Sequence, residues 1–310
     1  MTFAREVAEA VEAREPQCTI EEEARFKSML LDIALDGIIA HTLDGRLVYF
    51  NDAAHKQLGY TREEFEQLGP WGWVSEKNRP ARPRRVDALL KSGASRFTGY
   101  GNHKDGRALP TEIVARLVDG PGGPLVIAVI RDITERVRAE EHMRYMAFHD
   151  QLTGLANRSL LEDHLTMSIG NTQRFGDLLG VAYLDLDDFK RVNDAYGHAF
   201  GDQVLRVTAS RIRRHIRKVD TAARIGGDEF VVVLPRLRSI ADLSRAGEKL
   251  LAAVAEPITV DGRTVEVTSS VGMTVLDAEN DDTRSLLMRA DLAMYTAKRA
   301  GTNRVEMLGI

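Results

Sequence analysis

The chain has 310 residues, 44% of them hydrophobic and 28% charged, and its 46 acidic and 42 basic side chains leave a net charge of −4. That length suits two domains, and the near-neutral balance excludes a globally basic nucleic-acid binder. A single cysteine, Cys18, excludes an intrachain disulfide or a multi-cysteine zinc site. No apolar run, such as that at 125–130, approaches the roughly 20 residues of a membrane-spanning helix, and the N-terminus has no apolar signal core. A cytoplasmic protein with no nucleic-acid partner and no membrane span is expected.

Phe3, Val7 and Val11 recur at helical spacing until Pro16 breaks the pattern. Thr19, with Glu22 three residues on, forms a capping-box signature that starts a second helix. From Asp36 the text changes to short apolar runs broken by the turn dipeptides Asp36-Gly37 and Asp44-Gly45. These predict strands at 38–42 and 47–51 around a turn at 43–46. A polar stretch with Pro80, Pro83 and several arginines follows. Strands at 97–103, 109–119 and 125–132, separated by Lys104-Asp105-Gly106 and a Gly/Pro turn at 120–124, then form an antiparallel meander. Residues 133–148 read as a charged helix with Val137, Met143 and Met146 as sparse apolar positions. It is either a solvated connector or a helix that pairs across a dimer.

The C-terminal half predicts a buried strand at 178–184, helix around Val192 and over 203–219, and strands at 222–225 and 230–234. Helix 243–255, strand 265–275 and helix 286–300 follow. This order predicts an α+β sheet with its helices on one face.

Two acidic strand ends carry the chemistry. The first is YLDLDDFK, where an apolar strand runs into Asp185, Asp187 and Asp188, followed by Phe189 and Lys190. Carboxylates at a strand end either face water or hold a cation, because burying unpaired charge costs several kcal/mol. Hard oxygen ligands in that place suit Mg²⁺ with phosphate oxygens. The second is ARIGGDEFVVVL, in which Gly226-Gly227 reads as a hairpin turn with positive φ at both positions. It puts Asp228 and Glu229 at the tip of a core strand. Each acidic segment alone is an ordinary loop or hairpin; together they fit one metal–phosphate site.

Gly226-Gly227-Asp228-Glu229-Phe230 resembles the signature of GGDEF-family diguanylate cyclases. The stretch DQLTGLANR from Asp150 to Arg158 resembles the family's opening motif, and DLDDFKRVNDAYGHAFGD from Asp185 to Asp202 its nucleotide-binding stretch. The resemblance covers residues 146–304. It implies a nucleotide-cyclase-like palm of βαββαβ type that condenses two GTP into cyclic di-GMP and two pyrophosphates. It also implies Mg²⁺ (or Mn²⁺) on Asp185 and Asp228 with the Leu186 carbonyl. Glu229 then joins a second metal or assists deprotonation of the ribose 3′-hydroxyl, and Lys190 is a transition-state cation. Asn193 and Asp202 match guanine-reading positions, helix-start amides near Asp188 and Phe189 hold β- and γ-phosphates, and Lys298 binds terminal phosphate. The family's arginine four residues after that lysine is here Thr302, with Arg299 and Arg304 as nearby substitutes. Loss of one charge-assisted contact weakens GTP binding by about 1.5–3 kcal/mol.

Arg217-Lys-Val-Asp220 reads by itself as a helix-end salt bridge, while its offset from Gly226 resembles the family's product-inhibition site, with cyclic di-GMP as ligand. Arg245 is a candidate for a secondary surface. In the first half, Asp36-Gly-Ile-Ile, the stretch from Gly45 to Ala54, the stretch from Gly59 to Glu64, and Arg131-Asp-Ile-Thr-Glu135 resemble a PAS sensor domain. Cys18 lies outside that module, which excludes a flavin–cysteine adduct, and 78–97 holds no histidine for haem. His41, His55 and His103 read as structural or exposed. Trp71 and Trp73 read as core or surface packing rather than pocket lining. The PAS ligand is open.

The expected organisation is an N-terminal helical segment (1–22), an antiparallel PAS sheet with helices (23–134), a helical linker (135–149) and a GGDEF domain (150–310). The expected protein is a homodimeric, PAS-regulated diguanylate cyclase. The alternatives are a catalytically silent module that binds GTP or cyclic di-GMP, and a dimerisation scaffold. With no phosphodiesterase module read before Ile310, breakdown of the product is expected elsewhere.

Overall fold

The computed structural model describes residues 19–75 and 82–309. The helix expected from Phe3, Val7 and Val11 lies outside them. The chain divides into two compact units, Met1–Glu140 and Glu141–Ile310.

In the first unit, α1 (Ile20–Ile33) starts at Thr19, whose side chain accepts from Glu22 N while Glu22 returns a bond to the Thr19 backbone. The elements β1 (Gly37–Thr42), β2 (Leu47–Phe50), α2 (Asp52–Lys56), α3 (Arg62–Gly72), α4 (Arg82–Ser92), β3 (Ala94–Asn102), β4 (Ala108–Gly120) and β5 (Gly123–Asp132) follow. All pairs are antiparallel in the order β2-β1-β5-β4-β3, with the expected meander at β3-β4-β5. Alternation puts Leu109, Ile113 and Ala115 of β4 and Val126, Ala128 and Ile130 of β5 in the core, with Ile113 opposite Ile130 and Ala115 opposite Ala128. Helices α2 to α4 are absent from the sequence reading. They are short, and α3 is bent where Gly69 takes φ 66° ahead of Pro70, so helical periodicity has little length in which to register.

Asn51, with no exposed surface, fastens this unit. Its carbonyl oxygen accepts from Ile38 N (2.8 Å) and Ala54 N (3.1 Å), capping α2, and its amide donates to Leu31 O (2.9 Å) and Asp36 O (3.0 Å). Asp36 also receives a forked pair from Arg131 at 2.8–3.2 Å. Asp132 accepts from Thr134 N at 2.7 Å at the start of α5 (Thr134–Phe148). No residue of α5 is buried within the chain, a feature shared by a solvated connector and by a helix that pairs across a dimer.

The second unit contains α6 (Arg158–Phe175), β6 (Leu178–Leu186), α7 (Phe189–Tyr196), α8 (His198–His215), β7 (Thr221–Gly226), β8 (Glu229–Leu237), α9 (Ile240–Ala255), β9 (Ile258–Val260), β10 (Arg263–Val265), β11 (Ser269–Val275), α10 (Thr283–Arg299) and β12 (Arg304–Met307). The main sheet runs β12-β11-β6-β8-β7. Its helices cover both faces, which corrects the one-face expectation. Leu179, Val181 and Tyr183 of β6 pack with Leu161 and Leu165 of α6 and Leu286 and Met294 of α10. Ala182, Leu184 and Leu186 pack with Val204 and Ile212 of α8 and Leu243 and Leu250 of α9. The uninterrupted apolar run of β6 is the sequence trace of this sandwiching, since neither face meets water.

Three further corrections concern boundaries. The expected strand at 265–275 is two strands: β10 pairs only with β9 in a separate hairpin, and β11 joins the main sheet. The helix expected over 203–219 begins earlier and ends at His215, before the turn in which Asp220 N donates to Arg217 O. The two-residue hairpin turn is Gly227-Asp228 rather than Gly226-Gly227. Gly226 remains in β7 opposite Glu229, and only Gly227 of the two glycines takes positive φ, 50°.

Candidate active site

The middle strand β6 ends where Asp185 lies opposite both Glu229 of β8 and Ser270 of β11. Asp185 is 7% exposed. Burial pushes its carboxyl above the usual range, Lys298 opposes that shift, and nearby Asp228 and Glu229 reinforce it. Lys298, from the last turn of α10, places Nζ 2.7 Å from Asp185 Oδ1. The β7–β8 turn joins the same end of the sheet, with Leu186 N donating to Asp228 O at 3.3 Å. The Tyr183 hydroxyl donates to Glu229 Oε2 at 3.2 Å, and burial followed by the Glu229 charge pushes the Tyr183 hydroxyl well up.

Asp185, Leu186, Asp228 and Glu229 therefore meet at one end of the sheet. Their donors are all oxygen. Among the described residues no three His, Cys, Asp or Glu side chains form a closed cage. Such an incomplete oxygen set around a buried carboxylate is the kind Mg²⁺ accepts, because it keeps waters and substrate phosphates in its remaining positions.

Asp187 has a different employment. Its oxygens accept from Thr268 Oγ1 (2.6 Å), Ser270 Oγ (2.7 Å) and Asn303 N (3.1 Å), binding the strand-to-helix turn to β11 and the α10–β12 turn. Asp188 precedes α7 at φ 53° and makes no side-chain cap, its carboxylate facing Arg191 at 3.6 Å in solvent. The first-turn amides of α7 are thus left without a side-chain partner. Phe189 is buried and Lys190 exposed. Asn193 and Asp202 are half-buried, on α7 and α8. A Cβ at Gly201, the neighbour of Asp202, would collide with Asn193 Oδ1, so the glycine lets the two helices approach there.

After α10 the chain turns at Thr302 and Asn303, both at positive φ. Thr302 therefore lies outside the helix that carries Lys298. Arg304 donates to Ala300 O at 2.6 Å and pairs with Glu306 at 3.2 Å.

Sequence reasoning missed Arg224. Its guanidinium donates to both oxygens of Asp150 (3.1 and 3.0 Å) and, through Nε, to Gly227 O at 2.8 Å. Asp150 also accepts from Thr153 N and Oγ1. The motif that opens at Asp150 is thereby tied to the turn that carries Asp228. An arginine in an otherwise apolar strand, two residues before Gly226, was the available signal.

Arg217 and Asp220 form a forked pair, 2.7–3.1 Å apart, and Arg217 also donates to Pro235 O at 2.9 Å. They line a cavity of about 410 Å³ with Arg236, Arg238, Arg245 and Lys249, of which the sequence reading named only Arg245.

In the first unit, His41 Nδ1 lies 2.8 Å from Thr42 O and His55 Nδ1 2.9 Å from Tyr60 O. His103 lies 2.8 Å from Asp105. All three therefore have structural partners. Trp71 and Trp73 both line a cavity of about 710 Å³, which corrects the packing-only expectation.

Residues 147–304 match the family model described as diguanylate cyclase, GGDEF domain, and residues 35–135 match a PAS domain. The chain is 41% identical over 168 residues to diguanylate cyclase DgcP of Pseudomonas aeruginosa, covering 54% of this chain and 25% of that protein. It is 40% identical over 170 residues to the bifunctional diguanylate cyclase/cyclic di-GMP phosphodiesterase MucR of the same species, covering 55% and 25%. The chain thus spans about a quarter of the length of these curated relatives. The coiled coil and GGDEF domain of DgcB from Caulobacter crescentus, in complex with cyclic di-GMP, matches with TM-score 0.52 and 34% identity over 56% of this chain and 92% of that one. The described fold is the mixed α+β palm arrangement of these neighbours. The chain belongs to the GGDEF diguanylate cyclase domain family and carries a PAS domain ahead of the GGDEF domain.

Proposed function

We propose that the chain is a PAS-regulated diguanylate cyclase that condenses two GTP into cyclic di-GMP and two pyrophosphates. The observation that carries this reading is the meeting of Asp185 with Glu229 across β6 and β8, beside the turn that bears Asp228. Asp185, Asp228 and the Leu186 carbonyl would hold Mg²⁺. Bound there, the ion would lower the pKa of the 3′-hydroxyl and neutralise charge growing on the α-phosphate.

The chain's own side chains supply the rest. Glu229, oriented by the Tyr183 hydroxyl, takes the proton of the attacking 3′-hydroxyl. The open first-turn amides of α7 receive the β- and γ-phosphates, Lys298 moves from Asp185 to terminal phosphate, and Lys190 faces the transition-state charge. Asn193 and Asp202 read guanine, whose edge presents two N–H donors to one carboxylate where adenine presents none. Each condensation forms a bond from O3′ to the partner nucleotide's α-phosphorus and expels pyrophosphate. A two-fold pair of protomers is therefore required, with α5 as the lever between sensor state and protomer geometry. Cyclic di-GMP occupies the cavity at Arg217 and Asp220 as feedback inhibitor.

A second reading, a silent module that binds GTP or cyclic di-GMP, draws on the Lys298–Asp185 ion pair and on Thr302 in the position of the family arginine. One assay separates the two. Full-length protein incubated with GTP and Mg²⁺ should yield cyclic di-GMP, and Asp228→Ala or Glu229→Ala should abolish it with unchanged circular dichroism. No turnover across dimer-forming concentrations selects the silent module.

A further inference from the structure

The cavity of the PAS unit, about 710 Å³, falls within the usual size of small-molecule sites. Its aliphatic wall includes Ile39, Ile113, Val126 and Ile130, contributed by β1, β4 and β5. His41, Asp87, Ser95 and Tyr100 also line the cavity, and two further polar groups, Arg85 and Trp73, carry the argument. Arg85, on α4, is half-buried, and its guanidinium carbon sits 3.9 Å above the Phe97 ring. Among the described residues Arg85 forms no ion pair or hydrogen bond, and burial alone pushes its guanidinium below the ordinary value. Trp73 is 2% exposed, and its indole N–H is buried without a hydrogen-bond partner. Its benzo edge is spent on β3, where a Cβ at Gly101 would lie 3.2 Å from Cε3. The nitrogen is on the opposite side of the ring.

A buried donor without an acceptor costs about 1–3 kcal/mol, so the Trp73 N–H points to an acceptor that arrives with a ligand, and the half-buried Arg85 on the same cavity offers that acceptor a charge. Asp87, the acidic residue of the lining among the described residues, is exposed and bonded to Lys91 at 2.8 Å. The charge to be matched is therefore a single positive one. A planar guanidinium fits a carboxylate in forked fashion, whereas a phosphate dianion would leave one charge uncompensated against apolar walls.

We propose that the PAS unit binds an aliphatic monocarboxylate, with its head on Arg85, the Trp73 N–H as second donor, and its chain against the aliphatic wall. This ligand class is independent of whether the GGDEF domain turns over GTP, and its test reads binding alone.

Trp71 and Trp73 are the only two tryptophans of the chain, and both line the cavity, so intrinsic fluorescence reports occupancy. The full-length protein is titrated with sodium decanoate below its micelle concentration, and in parallel with 1-decanol, which has the same chain and no charge. Decanoate should give a saturable change and bind at least about tenfold more tightly than decanol, as a charge-assisted hydrogen bond demands. Arg85→Gln should remove that advantage and leave decanol affinity unaltered, while Arg85→Lys should retain part of it. Equal affinity of the wild type for acid and alcohol, absence of saturation, or undiminished decanoate binding by Arg85→Gln overturns the proposal. If Arg85→Gln does not melt cooperatively, the acid-to-alcohol ratio in the wild type still decides.

Discussion

Lys298 Nζ lies 2.7 Å from Asp185 Oδ1, so the last long helix neutralises the buried carboxylate that ends the central strand. A cation bound at Asp185 would compete with this ammonium. Lys298→Met should leave Asp185 unpaired and lower stability in the absence of Mg²⁺ by about 1–3 kcal/mol, between the ranges for exposed and buried pairs. Mg²⁺ should then raise the melting temperature of the variant more than that of the wild type. Equal Mg²⁺ shifts in the two proteins would show that lysine and metal do not compete.

The Asp150–Arg224 pair gives a pH dependence of known sign. Desolvation raises the Asp150 carboxyl, but Thr153 and Arg224 outweigh it, and the folded value lies below the ordinary 3.8. A depressed carboxylate contributes stability that is fully present above its unfolded value and is lost as pH falls through the folded one. Asp150→Asn should therefore flatten the acid limb of a denaturation series taken from neutral pH into the carboxylate range. Arg224→Ala should flatten it similarly and also lower cyclase rate, because the same guanidinium holds Gly227 O beside Asp228. A rate untouched by Arg224→Ala would confine this residue to stability.

Asn51→Ala should destabilise the PAS unit by about 2–4 kcal/mol, since it removes a helix cap and strands several buried backbone groups at once. Tryptophan fluorescence in urea reads this unit selectively, because both tryptophans, Trp71 and Trp73, lie in it. An Asn51→Asp variant, which keeps the acceptor and loses the two amide donors, should fall between.

Arg217→Ala should abolish inhibition by added cyclic di-GMP while leaving the initial rate intact, because Arg217 lies in its own cavity with Asp220. The measurement is initial velocity against product concentration. Unchanged inhibition would assign Arg217 to a structural ion pair.

Guanine preference is checked with Asp202→Asn supplied with GTP and ATP. The variant should lose most of its discrimination, since an amide presents one acceptor and one donor group where the carboxylate presents two acceptors. An unaltered ratio would remove Asp202 from base recognition.

Much of the fold was legible in order of residues because the signals are local. Thr19 and Glu22 announced a capping box, alternation announced the β3-β4-β5 meander, and the uninterrupted run of β6 announced a buried strand ending in acids. Helices α2 to α4 were not legible, being short, and α3 is also interrupted by Gly69 and Pro70. The GGDEF motif marked Asp228 and Glu229, yet the turn settled one residue later than two glycines suggest, because Gly226 is held in the ladder opposite Glu229.

By itself the sequence determined the family, the order of its two domains and the acids that end β6 and begin β8, since periodicity and turn chemistry act over a few residues. Only the tertiary structure decided which polar groups meet across long separations: Lys298 with Asp185, Arg224 with Asp150, the Asn303 backbone N–H with Asp187. It also decided that helices cover both faces of the palm sheet and that Trp71 and Trp73 enclose a cavity. The physical reason is burial. Which partner a charge or an indole N–H finds depends on what packing brings beside it, and a polar group denied water must take the partner that the fold supplies or wait for a ligand.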